Sequence, residues 1–402
     1  MTEISLSSTI QTTALSTLLA GMHTPHELVA YRGVLTPRVL DAPESEIAAL
    51  TRGAALHDLG WLRRVAVRGE DRFRWLSGMV TNTVNDLFPN TGAWNLVLNA
   101  QGRIQGDLTV WREGEELSPA RRNAVAGDAR KGDPLLGTPF AGESGLELEI
   151  AADQCEKLME HLNRFIIMDD VELVPVGAEQ LGEPGSVVAV GLTGPQADEV
   201  LERVGLPVLA QPMTRKFVEW NGLDLRILRG YGVLAPHYEL WTPSAKLEKV
   251  WSCLRAAGAV QVGSASLEKL GIAEAIPSYG VDMAEGDLPQ ETSQMRALHF
   301  NKGCYLGQEI VERIRSRGNV HRHLRPLELT GPVPDSGTEL FQEDGKPVGK
   351  ITSAAALPLA RGARVFALGM VRAEAEARDE AFAYTVGTAK GTASILAEPP
   401  VL

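Results

Sequence analysis

Nine consecutive positions, Asn301-Lys302-Gly303-Cys304-Tyr305-Leu306-Gly307-Gln308-Glu309, gather a thiol, an ammonium, amides and a carboxylate around two glycines. That set suits nucleophilic or thiol-exchange chemistry, because a neighbouring cation and the start of a helix both favour thiolate over thiol. The apolar positions Ile310, Val311 and Ile314 predict a helix beginning near Gln308, which leaves Cys304 just ahead of its N-terminus. Gly303 and Gly307 free the backbone for left-handed or close-approach conformations on both sides of the sulfur. A lone cysteine by itself reads as a small buried residue, and its polar surroundings argue for the reactive reading. His299, just upstream, is a candidate base for the thiol.

Asp107 is the second group with chemistry to offer. It falls inside a predicted strand, Ile104 to Trp111, where a single acid reads either as a solvated outward group or as a carboxylate for acid/base work. A tight turn at Gln101-Gly102 joins that strand to Trp94–Leu98. Asn99 opens the turn Asn99-Ala100-Gln101-Gly102-Arg103, in which Gly102 supplies a positive φ and the polar side chains rim any adjoining pocket.

The elements that must hold these groups follow from periodicity. Helix-like text runs from Ser45 to Leu56, Val65 to Val67 reads as a strand, and Ser77 to Leu87 as helix then loop. Residues 112–143, rich in Gly and Pro, read as an inserted loop expected to be mobile and without catalytic importance. A helix from Asp153 to Phe165 precedes a strand from Val171 to Val176. A second α/β half then repeats the theme, with strands at 187–191 and 223–228 and helices at 195–204 and 245–257. From Arg325 onward, short apolar runs broken by Gly and Pro predict a small antiparallel barrel.

Composition limits the partners. A chain of 402 residues that is 44% apolar and 22% charged can bury a sizeable core and suits two to four domains. A formal charge of -12 argues against general nucleic-acid or anionic-membrane binding, and no direct DNA binding is expected. Cys155, Cys253 and Cys304 are too few and too scattered for a disulfide framework or a closed metal site, so no bound metal is expected and a reducing compartment is implied. The first basic residue is Arg32, and no apolar run is long enough to span a bilayer. A cytoplasmic protein without membrane attachment is the expectation. A positive run, Arg313, Arg315, Arg317, His321, Arg322, His323 and Arg325, reads as a solvated face, a seat for a polyanionic tail, or a dock for an acidic or RNA-bearing partner.

The string KGCYLGQE, followed by Arg313 and Gly318, closely resembles the signature of the YgfZ family of folate-binding proteins, itself related to the aminomethyltransferase of the glycine cleavage system. Further segments match in order along most of the chain: Ala55 to Gly60, Val67 to Leu76, Asn95 to Arg103 with Gly106 to Leu108, Gly191 to Ala197, Arg229 to Gly232 with Glu239, and the strands from Gly345 onward.

The resemblance implies an α+β protein: an aminomethyltransferase-like folate-binding core of two related α/β halves plus a C-terminal antiparallel β-barrel. The corresponding boundaries are 1–176, 177–323 with the thiol motif, and 324–402. It also implies tetrahydrofolate or a derivative as cofactor, with Cys304 and Asp107 as the chemical groups. Asn99, Tyr231, Glu239, Lys302, Tyr305, Gln308, Glu309 and Arg313 would be the binding residues. Tyr231 would be an aromatic wall for the pterin, and Glu239 an acceptor for its N–H groups. The implied role is support of iron-sulfur cluster assembly or repair, through assembly factors or client proteins, with effects reaching tRNA-modifying iron-sulfur enzymes. The alternative is a folate-dependent aminomethyltransferase or demethylase. Aminomethyltransferases carry adjacent acids where this chain has Gly106-Asp107, and the missing carboxylate weakens that alternative.

Overall fold

The structure, a computed structural model, describes residues 10–22, 26–114, 145–176, 186–318, 320–378 and 380–402. The insertion expected over 112–143 lies, from residue 115 on, outside the described residues.

Two β-sheets form the core. The first has five antiparallel strands in the order Gly92–Leu98, Ile104–Arg112, Leu146–Ala151, Leu62–Arg68 and Glu172–Val176. The second has six, in the order Thr214–Trp220, Leu223–Arg229, His237–Pro243, Val187–Thr193, Ala55–Asp58 and Val260–Val262. Strand alternation gives each sheet two unlike faces. Val65, Val67, Leu108, Val110, Leu146, Leu148 and Ile150 turn outward from the first sheet onto Leu158 and Leu162 of the helix Ala152–Asn163. Leu56, Val190, Leu192, Leu225, Ile227 and Leu240 do the same in the second sheet, against Val250, Trp251 and Leu254 of the helix Leu247–Ala256. Burying each such side chain stabilises the fold by roughly 1.5–3 kcal/mol before entropy is counted.

The opposite faces are polar and meet each other. Arg64 and Glu147 of the first sheet contact Arg215 and Arg226 of the second, all four being buried. Arg215 Nη1 and Arg226 Nη1 donate to Glu147 Oε2 at 2.6 and 3.0 Å, and Arg64 donates to the same carboxylate. The Arg64 guanidinium also lies 4.8 Å from the Trp241 ring centre.

The helix-like text at 45–56 divides in two. A helix, Pro43–Arg52, stops at Gly53, and Ala55–Asp58 becomes a strand because neighbours pair with it on both sides: Val187–Thr193 antiparallel and Val260–Val262 parallel. The helix predicted at the start of 77–87 lies earlier, at Arg72–Met79, and Val80 is extended and bridges to Val97. The described residues before 45 carry regular structure. They form the helix Ala14–Gly21 and a small sheet of Gln11–Thr12, Val34–Pro37 and Leu28–Tyr31.

The C-terminal segment closes into a six-stranded antiparallel barrel in the order Arg322–Thr330, Gly362–Arg372, Pro347–Leu359, Glu339–Phe341, Phe382–Val386 and Ala389–Ile395. The protein therefore has the expected α+β fold: mixed α/β sheets followed by a closed barrel. Thr352 and Ser353 donate from the barrel to Asp282 Oδ1, at 2.6 and 2.7 Å, and Arg322 pairs with Asp287 and Glu291. These bonds seat the barrel on the segment that also walls the site. Among the described residues, no helix is long and apolar enough to cross a membrane.

Candidate functional site

Where the two sheets part, a cavity of about 200 Å³ opens between their polar faces. The first sheet contributes Trp94, Asp107, Thr109, Trp111 and Glu149, and the second contributes His237 and Glu239. Its floor is acidic. Glu149 and Glu239 are 8% and 5% exposed, and Trp241 Nε1 donates to Glu239 Oε2 at 2.9 Å. Burial, reinforced by the Glu239 carboxylate beside it, raises the pKa of Glu149 well above the usual range and so favours its protonated form. His237 Nδ1 bonds to Thr193 Oγ1 at 2.7 Å, and the same hydroxyl meets His57 Nε2 at 3.0 Å. Burial holds both imidazoles below their ordinary value, His57 down to about 3, so they are neutral near pH 7.

The mouth is cationic and aromatic. The Arg296 guanidinium lies 3.8 Å from the Tyr231 ring centre and 4.4 Å from that of Trp94. Burial lowers its pKa to about 10, so it stays charged. Asp107 is fixed below it: Oδ2 accepts from Trp94 Nε1 at 2.8 Å and Oδ1 from Gln154 Nε2 at 3.1 Å. The helix behind the strand explains why Asp107 has no acidic neighbour. A Cβ at Gly106 would lie 2.7 Å from Gln154 Oε1 and 2.9 Å from Leu158 Cδ2, so a second carboxylate there would have to push aside the Gln154 amide that holds Asp107.

Asp107, Tyr231 and Glu239 thus share one cavity, and the other residues singled out in the sequence stand elsewhere. The motif from 301 to 309 packs behind the cavity wall. Tyr305 is buried among Leu96, Leu98 and Val311, and burial pushes its hydroxyl up to about 12. Lys302 Nζ donates to the carbonyls of Val80 and Asn82, both at 2.6 Å, and burial brings it down to about 7. Its bonds therefore run to the segment behind Trp94 and not to the thiol. Asn82 in turn donates to the carbonyls of Trp94 and Arg296, so Lys302 supports the cavity wall from behind.

The helix Gln308–Arg317 starts where the spacing predicts. Gly307 has a φ of 81°, and a Cβ there would lie 2.6 Å from Asn99 O, so the Asn99 turn and the thiol motif interlock backbone to backbone. Gly303, by contrast, stands in open space. Asn99 Oδ1 accepts from the N–H groups of Gln101 and Arg103, closing its own turn. Gln308 Oε1 accepts from Tyr305 N, while Cys304, Glu309 and Arg313 are exposed. Cys304 is not among the residues lining the central cavity.

The positive run splits. Arg322 pairs with Asp287 and Glu291, and His323 and Arg325 pair with Glu376, while the side chain of Arg317 lies outside the described residues.

Trp94, Glu149, His237 and Arg296 were not singled out in the sequence. Glu149 sits in Leu146–Ala151, whose alternation of Leu and Glu has the pattern of a half-exposed strand. The available signal was Arg226, inside the predicted strand 223–228, and Arg64, beside the predicted strand 65–67, since a charged group there does not suit a purely apolar interior.

Comparison with known proteins agrees with this architecture. Residues 11–126 match the GCVT N-terminal domain, and residues 321–400 match the CAF17 C-terminal beta-barrel domain. A chloroplastic protein of Arabidopsis thaliana named as a transferase is 23% identical over 90% of this chain and 74% of its own length. The aminomethyltransferase of Geobacillus kaustophilus is 23% identical over 87% of each chain. The crystal structure of the glycine cleavage system aminomethyltransferase T from Bartonella henselae superposes with a TM-score of 0.79 at 19% identity, covering 97% of this chain and 98% of that one.

Proposed function

Because the chain joins a GCVT N-terminal domain to a CAF17 C-terminal barrel, and is in this a YgfZ/CAF17-type relative of aminomethyltransferase, we propose that it is a cytoplasmic folate-binding protein that supports iron-sulfur cluster assembly or repair. One observation carries the folate part: a cavity between the sheets with an acid pair at its floor and aromatic walls at its mouth. Three polar atoms of residues lining it, Glu149 Oε2, Trp61 Nε1 and Trp111 Nε1, are buried without hydrogen-bond partners, as befits a site built around a polar ligand. Glu239 would accept the N–H donors of a pterin edge, the proton on Glu149 would meet its carbonyl, and Tyr231 and Trp94 would flank the ring. Tetrahydrofolate, when bound, supplies nitrogen atoms that carry one-carbon units. Asp107, held by Trp94 and Gln154, would orient the ligand from the side with a fixed negative charge.

Glu239→Gln tests this. The exchange keeps an acceptor oxygen for Trp241 but removes the charge, and tetrahydrofolate affinity should fall roughly 100-fold in calorimetry. Unchanged affinity would refute the assignment of the floor. Formation of methylenetetrahydrofolate and ammonia from an aminomethyl thioether would instead favour the aminomethyltransferase reading, and its formation from an N-methyl donor with an added two-electron acceptor the demethylase reading.

The iron-sulfur part rests on the family likeness and on Cys304. Cys155 and Cys253 pack against different apolar cores, so the exposed Cys304 has no companion thiol, and a cluster that needs about four ligands would be held mainly by a partner. Cys304→Ser should abolish the rescue of iron-sulfur enzyme activity in cells lacking the protein, with thermal unfolding unchanged. Full rescue by that variant would exclude a role for the thiol.

A further inference from the structure

The cavity is graded from an acidic, buried floor to a cationic mouth, and one of the mouth cations comes from outside both sheets. Residues Leu28–Tyr31 and Val34–Pro37 form a hairpin whose two-residue turn is Arg32-Gly33, with φ values of 46° and 85°. Two successive positive φ values are the pattern of a tight hairpin turn, and holding an arginine in one of them has a conformational cost. The turn is pressed into place: a Cβ at Gly33 would lie 2.6 Å from the backbone nitrogen of Asp153, at the start of the helix behind the first sheet. The Arg32 guanidinium then lies on the cavity wall, 4.8 Å from the Trp61 ring centre. Its hydrogen-bond partners, Ser278 Oγ at 2.8 Å and Tyr31 Oη at 3.4 Å, are both neutral.

Resting on the folate reading above, we propose that Arg32 is a specificity residue that pairs with the anionic glutamate end of a bound folate. The polarity of the cavity sets the ligand's direction. A pterin rich in N–H donors goes to the carboxylates of Glu239 and Glu149, and the carboxylates of the benzoylglutamate come to rest at the mouth between Arg32 and Arg296. Arg296 is already sandwiched by Trp94 and Tyr231, whereas among the described residues Arg32 lines the same cavity with hydrogen bonds only to the hydroxyls of Ser278 and Tyr31 and no ion pair at salt-bridge distance. The competing seat for the tail, the positive run near the barrel, is occupied from Arg322 onward by Asp287, Glu291 and Glu376. Asp107 and Asp153 also feel the charge of Arg32, so its removal would leave the mouth net negative and repel the tail.

The test compares two ligands across three proteins by calorimetry: tetrahydrofolate, and a methyl-substituted tetrahydropterin that lacks the benzoylglutamate. Arg32→Gln should weaken tetrahydrofolate roughly 10- to 100-fold and leave the tetrahydropterin within about twofold, while Arg32→Lys should recover part of the loss. Equal losses for both ligands, or no loss for either, would overturn the proposal while leaving the folate reading intact. Failure of the unaltered protein to bind either ligand would overturn both.

Discussion

Glu147→Gln is expected to destabilise the fold by on the order of 4 kcal/mol, measured as a lowered midpoint of denaturant unfolding. Glu147 is fully buried and serves three guanidinium groups from both sheets at once. Glutamine keeps its shape and one acceptor oxygen but leaves three buried guanidinium groups with Glu113, 3.8 Å from Arg215 and Arg226, as the remaining counter-charge among the ion pairs of the described residues. Burial opposes ionisation of this carboxyl, yet Arg226, Arg64 and Arg215 outweigh it and hold its pKa below the usual range. The folded value therefore lies under the unfolded one. The stabilisation is complete above the unfolded value of about 4.3 and is lost as the pH falls below it. The unaltered protein should lose stability on acidification through that window, and Glu147→Gln should flatten this dependence. A variant that unfolds at the original midpoint would show that the arginines are neutralised elsewhere.

Gly191→Ala should cost roughly 2–4 kcal/mol, although it adds one methyl group. Gly191 pairs with His57 on one side and Glu239 on the other, so all three point to the same face of the second sheet. The His57 ring lies across the space a side chain would fill, and an added Cβ would stand 1.9 Å from its Cε1. The imidazole would have to leave, giving up its bond to Thr193 and its stacking on His237, whose ring centre is 5.7 Å away. Because His237 lines the cavity, folate affinity should fall along with stability. Native stability and affinity in this variant would mean that the ring has another place to go.

The carboxylates of the two sheets differ in how far the sequence identifies them. Alternating hydrophobicity predicts strands such as Leu223–Arg229 and Ile104–Arg112 well, since their apolar faces meet helices. Asp107, Tyr231 and Glu239 were legible from the resemblance, and they lie at one cavity. Glu147 and Glu149 were not, because the same alternation with acidic residues on the second face describes a strand turned to water. Charged groups are seldom buried, so a local rule assigns them outward. Only the pairing of two sheets, set by contacts far apart in the chain, turns that face inward. The thiol motif illustrates the converse. Its density of chemistry suggests a pocket, yet Gly307 and Tyr305 serve packing against the Asn99 turn and the strand Gly92–Leu98.

The strand Ala55–Asp58 leaves the first half of the chain to lie between Val187–Thr193 and Val260–Val262. During synthesis, that segment emerges from the ribosome long before either neighbour exists. One of its edges can pair once residue 193 has been made, and the other stays bare until residue 262. The second sheet is accordingly completed only after residue 262 has been made, and a nascent chain halted before then presents an unpaired strand edge of the kind that chaperones bind.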